Sequence, residues 1–171
     1  MQVYRACSLC SSYMNPKQDL PGVLACSCGY RKAEKPCITL EMYLMGREKT
    51  YPKELTQEII NNINCLLDKV NLLLFELGVK EAKVSSGWRP AAINSATPNA
   101  AKRSLHMTGK AIDILDNKEQ SLANLIVSKP ELLKNYELWI EDPAYTKGKN
   151  TNWVHLDIGV RKDRPLRMFK P

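Results

Sequence analysis

The segment Ser104–Asp113, SLHMTGKAID, says more about the fold of this 171-residue chain than any other. His106 is one of only 2 histidines, and Asp113 follows it on the far side of a glycine. Their separation is not the three- or four-residue step that places two side chains on one helical face. We therefore expect a turn after His106, with Gly109 at positive φ, and then a strand over Lys110–Leu115 that carries Asp113.

The other histidine, His155, lies in the alternating segment Asn152–Ile158. Val154 and its alternate neighbours are apolar, so they are expected to face the core, while His155 and Asp157 face a cleft. Two imidazoles and the Asp113 carboxylate are nitrogen and oxygen ligands that suit zinc, and three such ligands leave a fourth position open for water.

Three motifs resemble those of a known family, in order and in spacing. Ser104–Asp113 resembles the first zinc motif of the M15 family of zinc D,D- and L,D-carboxypeptidases and peptidoglycan endopeptidases, including its phage-type members. Trp153–Asp157 (WVHLD) is similar to the second motif, and Ser86–Arg89 (SGWR) is similar to an upstream element. The resemblance covers roughly residues 38–171.

The resemblance implies a role for each residue that matches a motif. His106, Asp113 and His155 would hold one catalytic zinc ion, which activates water at neutral pH. Arg89 would bind the scissile carbonyl oxygen as negative charge develops on it, and Ser104 would hydrogen-bond the substrate.

The chain departs from the family at the general base. Many members carry a carboxylate three residues before the last histidine ligand, or a histidine two residues before it, whereas this chain has Asn152 and Trp153. Neither an amide nor an indole takes a proton from water at neutral pH. A different residue must therefore serve as the base.

Two carboxylates are candidates for this base. Glu141 lies on a strand predicted over Tyr136–Asp142, and pairing of that strand with Asn152–Ile158 would bring Glu141 to the metal. Asp157 is the second candidate because it shares a face with His155. The alternative role for Asp157 is to orient a ligand imidazole or to pair with Arg161.

Residues 1–37 are rich in cysteine and are expected to form a unit separate from residues 38–171. Their spacing resembles a short zinc ribbon with a second, structural zinc ion, held by Cys7, Cys10, Cys26 and Cys28, with Cys37 as an alternate ligand. Disulfides or free thiols are the competing interpretation. No secretory signal pattern is visible at the start of the sequence, which favours metal over disulfides.

The rest of the sequence predicts an α+β domain, with a small, mainly antiparallel sheet and helices packed on one side. An apolar stripe indicates a long helix that has Pro52 in its first turn and ends at Gly78. Shorter helices are predicted over Leu40–Met45, Leu122–Val127 and Glu131–Tyr136, and a strand over Ala82–Ser86. No membrane-spanning segment is expected.

Charge alone does not identify a partner. The formal net charge is +7, but the cations are scattered, and no helix-turn-helix or aromatic platform accompanies them, so we do not expect a nucleic-acid partner. The predicted function is hydrolysis of an amide in bacterial peptidoglycan. The expected setting is phage lysis, from the host cytoplasm before release, or a tail-associated virion protein that contacts phage structural proteins. The alternative is a catalytically inactive wall-binding or structural module that joins a larger particle through its Cys-rich segment.

Overall fold

The structure is a computed structural model that describes residues 14–19, 21–162 and 166–171. It confirms the mixed α+β class. A three-stranded antiparallel sheet consists of β1 (Asn15–Pro16), β2 (Val23–Ala25) and β3 (Arg31–Ala33). A five-stranded sheet follows, in the order β4-β5-β7-β6-β8, from β4 (Val84–Ser86), β5 (Ala111–Asp116), β6 (Trp139–Glu141), β7 (Asn152–Asp157) and β8 (Met168–Phe169). Its strands pair antiparallel except for β6 and β8, which are parallel.

The helices are α1 (Leu40–Leu44), α2 (Arg47–Thr50), α3 (Gln57–Glu76), α4 (Ala91–Ala96), α5 (Ser121–Val127) and α6 (Pro130–Asn135). The predicted start of the long helix at Pro52 is wrong. Helix α3 begins at Gln57 because the Thr56 side chain accepts a hydrogen bond from the Ile59 N–H group and caps the first turn. In the part of the chain that the structure describes, no helix is long and apolar enough to span a membrane.

Helix α3 packs on one face of the five-stranded sheet. The sheet contributes fully buried side chains from alternate positions of three strands, among them Ile112, Ile114, Ile140, Val154 and Leu156. Because side chains alternate along a strand, the residues between these positions project from the opposite face. That second face therefore carries Asp113, His155 and Glu141.

The predicted pairing of the Glu141 strand with the His155 strand is confirmed. The Glu141 strand is shorter than expected, however, and begins at Trp139. Glu137 has a φ of 53°, a left-handed conformation that is incompatible with a strand, and its carboxylate instead pairs with Lys69 at 2.5 Å. The strand predicted over Tyr136–Asp142 is therefore limited to Trp139–Glu141.

The three-stranded sheet lies against α3. Gly22 has a φ of 87°, and a Cβ atom there would come within 2.7 Å of the Phe75 ring. The Tyr30 hydroxyl donates a hydrogen bond to Asp68, and Val23 belongs to the main hydrophobic core. The described part of the Cys-rich segment thus shares apolar surface with the long helix, while the division at residue 37 stays a prediction.

Candidate metal centre

One row of side chains crosses the whole five-stranded sheet. Ser86 on β4 is paired with Asp113 on β5, and Asp113 with His155 on β7. The β6–β7 register pairs Trp139 with Asp157 and Ile140 with Leu156, so the next position places Glu141 beside His155. Glu141 is in turn paired with Phe169 on β8. We call Ser86, Asp113, His155, Glu141 and Phe169 the cross-sheet row.

His106 reaches this row from a 3₁₀ turn, Leu105–Thr108. The Ser104 hydroxyl accepts a hydrogen bond from the His106 N–H group and caps the turn. Gly109 ends the turn with a φ of 72°, as predicted from the sequence. A Cβ atom at Gly109 would lie 2.7 Å from the Ile63 side chain, so the glycine lets the turn pack directly on α3.

Three ligand atoms converge where the turn meets the row. His106 Nε2 is 3.3 Å from Asp113 Oδ1 and 3.4 Å from His155 Nδ1, and the last two atoms are 2.7 Å apart. Bonds of about 2.0–2.1 Å in a tetrahedral zinc site place neighbouring ligand atoms roughly 3.3 Å apart. Two of the three separations match that value. Within the described residues, this is the group that could hold a metal ion.

Each imidazole is fixed by a contact at its other nitrogen. His106 Nδ1 is 2.8 Å from the Gly87 carbonyl oxygen, which only accepts, so Nδ1 carries the proton and Nε2 is left free for a metal. His155 Nε2 is 3.3 Å from Asp157 Oδ2. A carbonyl and a carboxylate at these positions hold histidine ligands in the required tautomer and orientation.

The Asp157 carboxylate is fully buried, and both of its oxygens are engaged. Arg161 donates to Oδ1 at 2.5 Å and to Oδ2 at 2.8 Å, and the Gly159 N–H group donates to Oδ1 at 2.8 Å. Burial alone would raise the pKa of Asp157, but the hydrogen bonds from His155 and Arg161 outweigh it and lower that pKa. This environment suits a group that orients His155, not one that accepts a proton from water.

The Glu141 carboxylate lies in a different environment. It is half-buried, and no hydrogen bond to it is found among the described residues. Burial raises its pKa, a shift that His155 opposes and that the Asp113 and Asp157 charges reinforce. A carboxylate with free oxygens and a raised pKa is suited to proton transfer near neutral pH.

Arg89 lies on the opposite side of Asp113. Its Nη2 donates to Asp113 Oδ2 at 2.7 Å and its Nε to Ser86 Oγ at 2.8 Å, while its backbone N–H group donates to the His106 carbonyl at 3.1 Å. Arg89 therefore holds the carboxylate ligand with Oδ1 turned toward the two imidazoles. Its predicted contact with a substrate carbonyl stays a prediction.

The electrostatics favour a cation at the convergence point. Burial lowers the pKa of His106, so this imidazole is neutral and ready to bind a metal. Burial would also lower the pKa of His155, but hydrogen bonds to Asp113 and Asp157 raise it to about 9. Without a metal, His155 thus carries a proton between two carboxylates, at the place where a metal ion would supply positive charge.

Asn152, at a position where the motif resemblance would lead us to expect a carboxylate, has a structural role. Its side-chain amide is buried on the face away from His155 and donates to the carbonyl groups of Asn117 and Lys118 at 3.1 and 3.0 Å. It anchors the connection after β5 and does not reach the metal centre.

The predicted cysteine ligands are only partly described. Cys7 and Cys10 lie outside the described residues. Cys26 and Cys28 lie in the tight turn between β2 and β3, where the Cys26 N–H group donates to the Tyr30 carbonyl at 2.8 Å. The Cys37 thiol donates to the Val79 carbonyl at 3.1 Å, and burial raises its pKa. A zinc ion in this segment stays a prediction.

Two contributors to the site were missed in the sequence. The Gly87 carbonyl has no sequence signal of its own, although the residue belongs to the SGWR element. Phe169 lies in a two-residue strand within a basic segment, with no periodicity to reveal it. Its ring contacts the His155 ring edge-on, with the centroids 5.9 Å apart.

No family model matches this sequence. No curated protein matches it significantly either. Any function proposed for the protein therefore depends on the geometry of the candidate metal centre and on the resemblance of its sequence motifs.

Proposed function

We propose that this protein is a zinc peptidase that hydrolyses an amide bond in peptidoglycan stem peptides or cross-links, in the setting of phage lysis or of a virion-associated wall-degrading protein. The observation that carries the proposal is the convergence of His106 Nε2, Asp113 Oδ1 and His155 Nδ1, beside the Glu141 carboxylate, which pairs with no other side chain among the described residues. The M15 resemblance supplies the substrate class.

The donor set supports zinc as the metal. Two imidazole nitrogens and one carboxylate oxygen form the ligand set of many catalytic zinc sites, in which the remaining position is left for water. Oxygen-rich sites, in contrast, suit magnesium and calcium. When bound, zinc would lower the pKa of a coordinated water toward ~7 and polarise the scissile carbonyl.

The residues around the metal would transfer protons, orient the ligands and stabilise developing charge. Glu141 would take a proton from water and return it to the leaving amine, because none of the described residues hydrogen-bonds to its oxygens and burial raises its pKa. Asp157 and the Gly87 carbonyl hold the two imidazoles in place. Arg89 orients Asp113, and its positive charge lies near the position where negative charge develops on the substrate.

The test is incubation of the zinc-loaded protein with defined muropeptides, followed by mass spectrometry of the products. We expect cleavage by the wild type and none by His106→Ala, which removes a ligand. Glu141→Gln should retain zinc but lose about 10²–10⁴-fold in rate, the usual contribution of a general base. Glu119→Gln is the matched control because Glu119 is exposed in the connection between β5 and α5, outside the cross-sheet row, and it should cleave as the wild type does.

Two results would contradict the proposal in different ways. Cleavage undiminished in Glu141→Gln would remove this residue as the base. Zinc binding that depends on His106, without cleavage of any muropeptide, would instead favour the inactive wall-binding module.

A further inference from the structure

The segment that follows β4 contacts the turn that carries His106 at three points. The Gly87 carbonyl faces His106 Nδ1 at 2.8 Å. The Trp88 indole N–H group donates to the Met107 carbonyl at 3.2 Å, and the Arg89 backbone N–H group donates to the His106 carbonyl at 3.1 Å. The position and orientation of His106 therefore depend on where the backbone of this segment lies.

Arg47, the first residue of α2, holds the same segment. Its Nη1 donates to the Trp88 carbonyl at 2.5 Å. Apart from His106, no other side chain of the described residues hydrogen-bonds to the backbone of residues 87–89. The Arg47 contact therefore ties α2 to the peptide that lies between the Gly87 carbonyl and the Arg89 side chain.

The placement of Arg47 is unfavourable for its own charge. The side chain is partly buried, and among the described residues no carboxylate pairs with it. Burial and the nearby positive charge of Arg89 both lower the pKa of Arg47. A partly buried cation beside a second cation costs free energy, so it needs a contact that offsets this cost. The hydrogen bond to the Trp88 carbonyl is that contact.

The backbone before Arg47 is also constrained. Met45 and Gly46, which separate α1 from α2, both adopt the left-handed conformation, with φ of 57° and 75°. Glycine adopts this conformation freely, whereas methionine does so at a cost in free energy. Two such residues in succession turn the chain sharply between the two helices and bring Arg47 to the Trp88 carbonyl.

We propose, on the basis of the proposed peptidase function, that Arg47 is a positioning residue of the candidate metal centre. It fixes the segment whose Gly87 carbonyl orients the His106 imidazole. The same segment carries Arg89, which orients the Asp113 carboxylate. The geometry of two metal ligands thus depends on a contact made by α2.

The experiment compares three variants of the full-length protein. Arg47→Met removes the hydrogen-bond donors, and Arg47→Lys retains a charged donor. Lys49→Met is the matched control because Lys49 is exposed on the same helix. Nuclear magnetic resonance of the protein with isotope-labelled histidines shows which ring nitrogen of His106 carries the proton when no zinc is bound. Chelator competition gives the zinc affinity, and denaturant unfolding gives the stability.

We expect His106 to carry its proton on Nδ1 in the wild type, Arg47→Lys and Lys49→Met. In Arg47→Met the weaker hold on the Gly87 carbonyl should populate the other tautomer, because His106 Nε2 lies 3.3 Å from an Asp113 oxygen that can accept its proton. Zinc affinity should fall roughly three- to tenfold, less than the about 10–100-fold typical of losing a group that contacts a ligand directly. A purely structural role would lower the stability without changing the tautomer.

An unchanged tautomer in Arg47→Met would overturn the inference, and so would an equal change in Lys49→Met. If Arg47→Met does not fold, Arg47→Gln makes the same comparison, since its shorter side chain also loses the contact. Failure of the wild type to bind zinc would overturn the proposed function, whereas the tautomer, measured without zinc, tests the role of Arg47 by itself. Zinc affinity that depends on Arg47, without cleavage of any muropeptide, would overturn the peptidase proposal alone.

Discussion

At the scale of single residues, His155 is held between two carboxylates with different tasks. Asp113 faces its Nδ1 at 2.7 Å and is a candidate metal ligand, whereas Asp157 faces its Nε2 at 3.3 Å. Asp157 is itself fixed by Arg161, which stacks on Phe169. The orientation of one imidazole ring thus depends on residues from two strands and a loop.

Asp157→Asn should weaken zinc binding about 10–100-fold, the usual effect of removing the group that orients a histidine ligand. The amide keeps the shape of the side chain but no longer supplies a charge to His155 or to Arg161. Zinc affinity is measured by competition with a chromophoric chelator. Asp19→Asn, at an exposed position in the turn between β1 and β2, is the control and should bind zinc as the wild type does. Unchanged affinity in Asp157→Asn would show that Asp157 does not orient the ligand.

The sequence could predict the site residues that act through their side chains, but not those that act through the backbone. His106, Asp113 and His155 are visible because imidazole and carboxylate groups recur at a recognisable spacing, and the structure brings all three together. The Gly87 carbonyl is not visible in the same way, because every residue has a carbonyl and only the fold decides which one meets His106. The proposal of Glu141 over Asp157 as the base likewise depends on the hydrogen bonds around each carboxylate, which the sequence does not show.

At the scale of elements, α1 and β4 approach each other so closely that only glycine fits between them. A Cβ atom at Gly87, just after β4, would lie 1.9 Å from the Tyr43 carbonyl oxygen of α1. The Tyr43 hydroxyl also donates to the Ala111 carbonyl at the start of β5, at 2.8 Å. Helix α1 therefore sets the position of the backbone that orients His106.

Gly87→Ala should both destabilise the fold and weaken zinc binding. Overpacking at a close backbone contact costs about 1–3 kcal/mol, and the shift needed to relieve it moves the acceptor of His106 Nδ1–H. Gly78→Ala is the matched control. It introduces a methyl group at a φ of 72° with nothing within 4 Å, so it should cost about 1–2 kcal/mol without affecting zinc affinity. Denaturant unfolding and chelator competition measure the two effects, and normal zinc affinity in Gly87→Ala would contradict the role of this carbonyl.

The elements that the sequence predicted are the periodic ones. Helix α3 and strands β5 and β7 are long enough for their alternation to be read, although the start of α3 depended on the Thr56 cap. Helix α2, helix α4 and strand β8 were missed because no apolar repeat marks these short segments in the sequence. Strand β8 also pairs in parallel with β6, which no local pattern of two residues reveals.

At the scale of the whole molecule, the candidate metal centre joins parts of the chain that are distant in sequence. His106 lies in the 3₁₀ turn that packs against α3. Asp113 and His155 lie on the neighbouring strands β5 and β7, and Arg89 lies in the segment after β4. A metal ion bound by the three ligands would therefore crosslink the sheet to the turn. Such an ion should stabilise the folded state as a whole.

Zinc should raise the melting temperature of the protein in a concentration-dependent way. A ligand that binds only the folded state contributes about 2.7 kcal/mol at 100 times its dissociation constant. For a chain of this size that corresponds to roughly 5–11 °C. Differential scanning fluorimetry at a series of zinc concentrations measures the shift, with magnesium as the comparison ion. The shift should disappear in His106→Ala, and a shift that persists there would place the bound zinc elsewhere.

The cross-sheet row also makes the centre sensitive to strand register. A slip of one residue between β5 and β7 would exchange the outward Asp113 or His155 for an inward isoleucine, valine or leucine, and would bury a carboxylate or an imidazole in the core. A chain that pairs its strands wrongly would keep most of its secondary structure but lose the converging ligands. During refolding, the recovery of metal binding would then report correct strand alignment, whereas the recovery of circular dichroism would report only that strands and helices had formed.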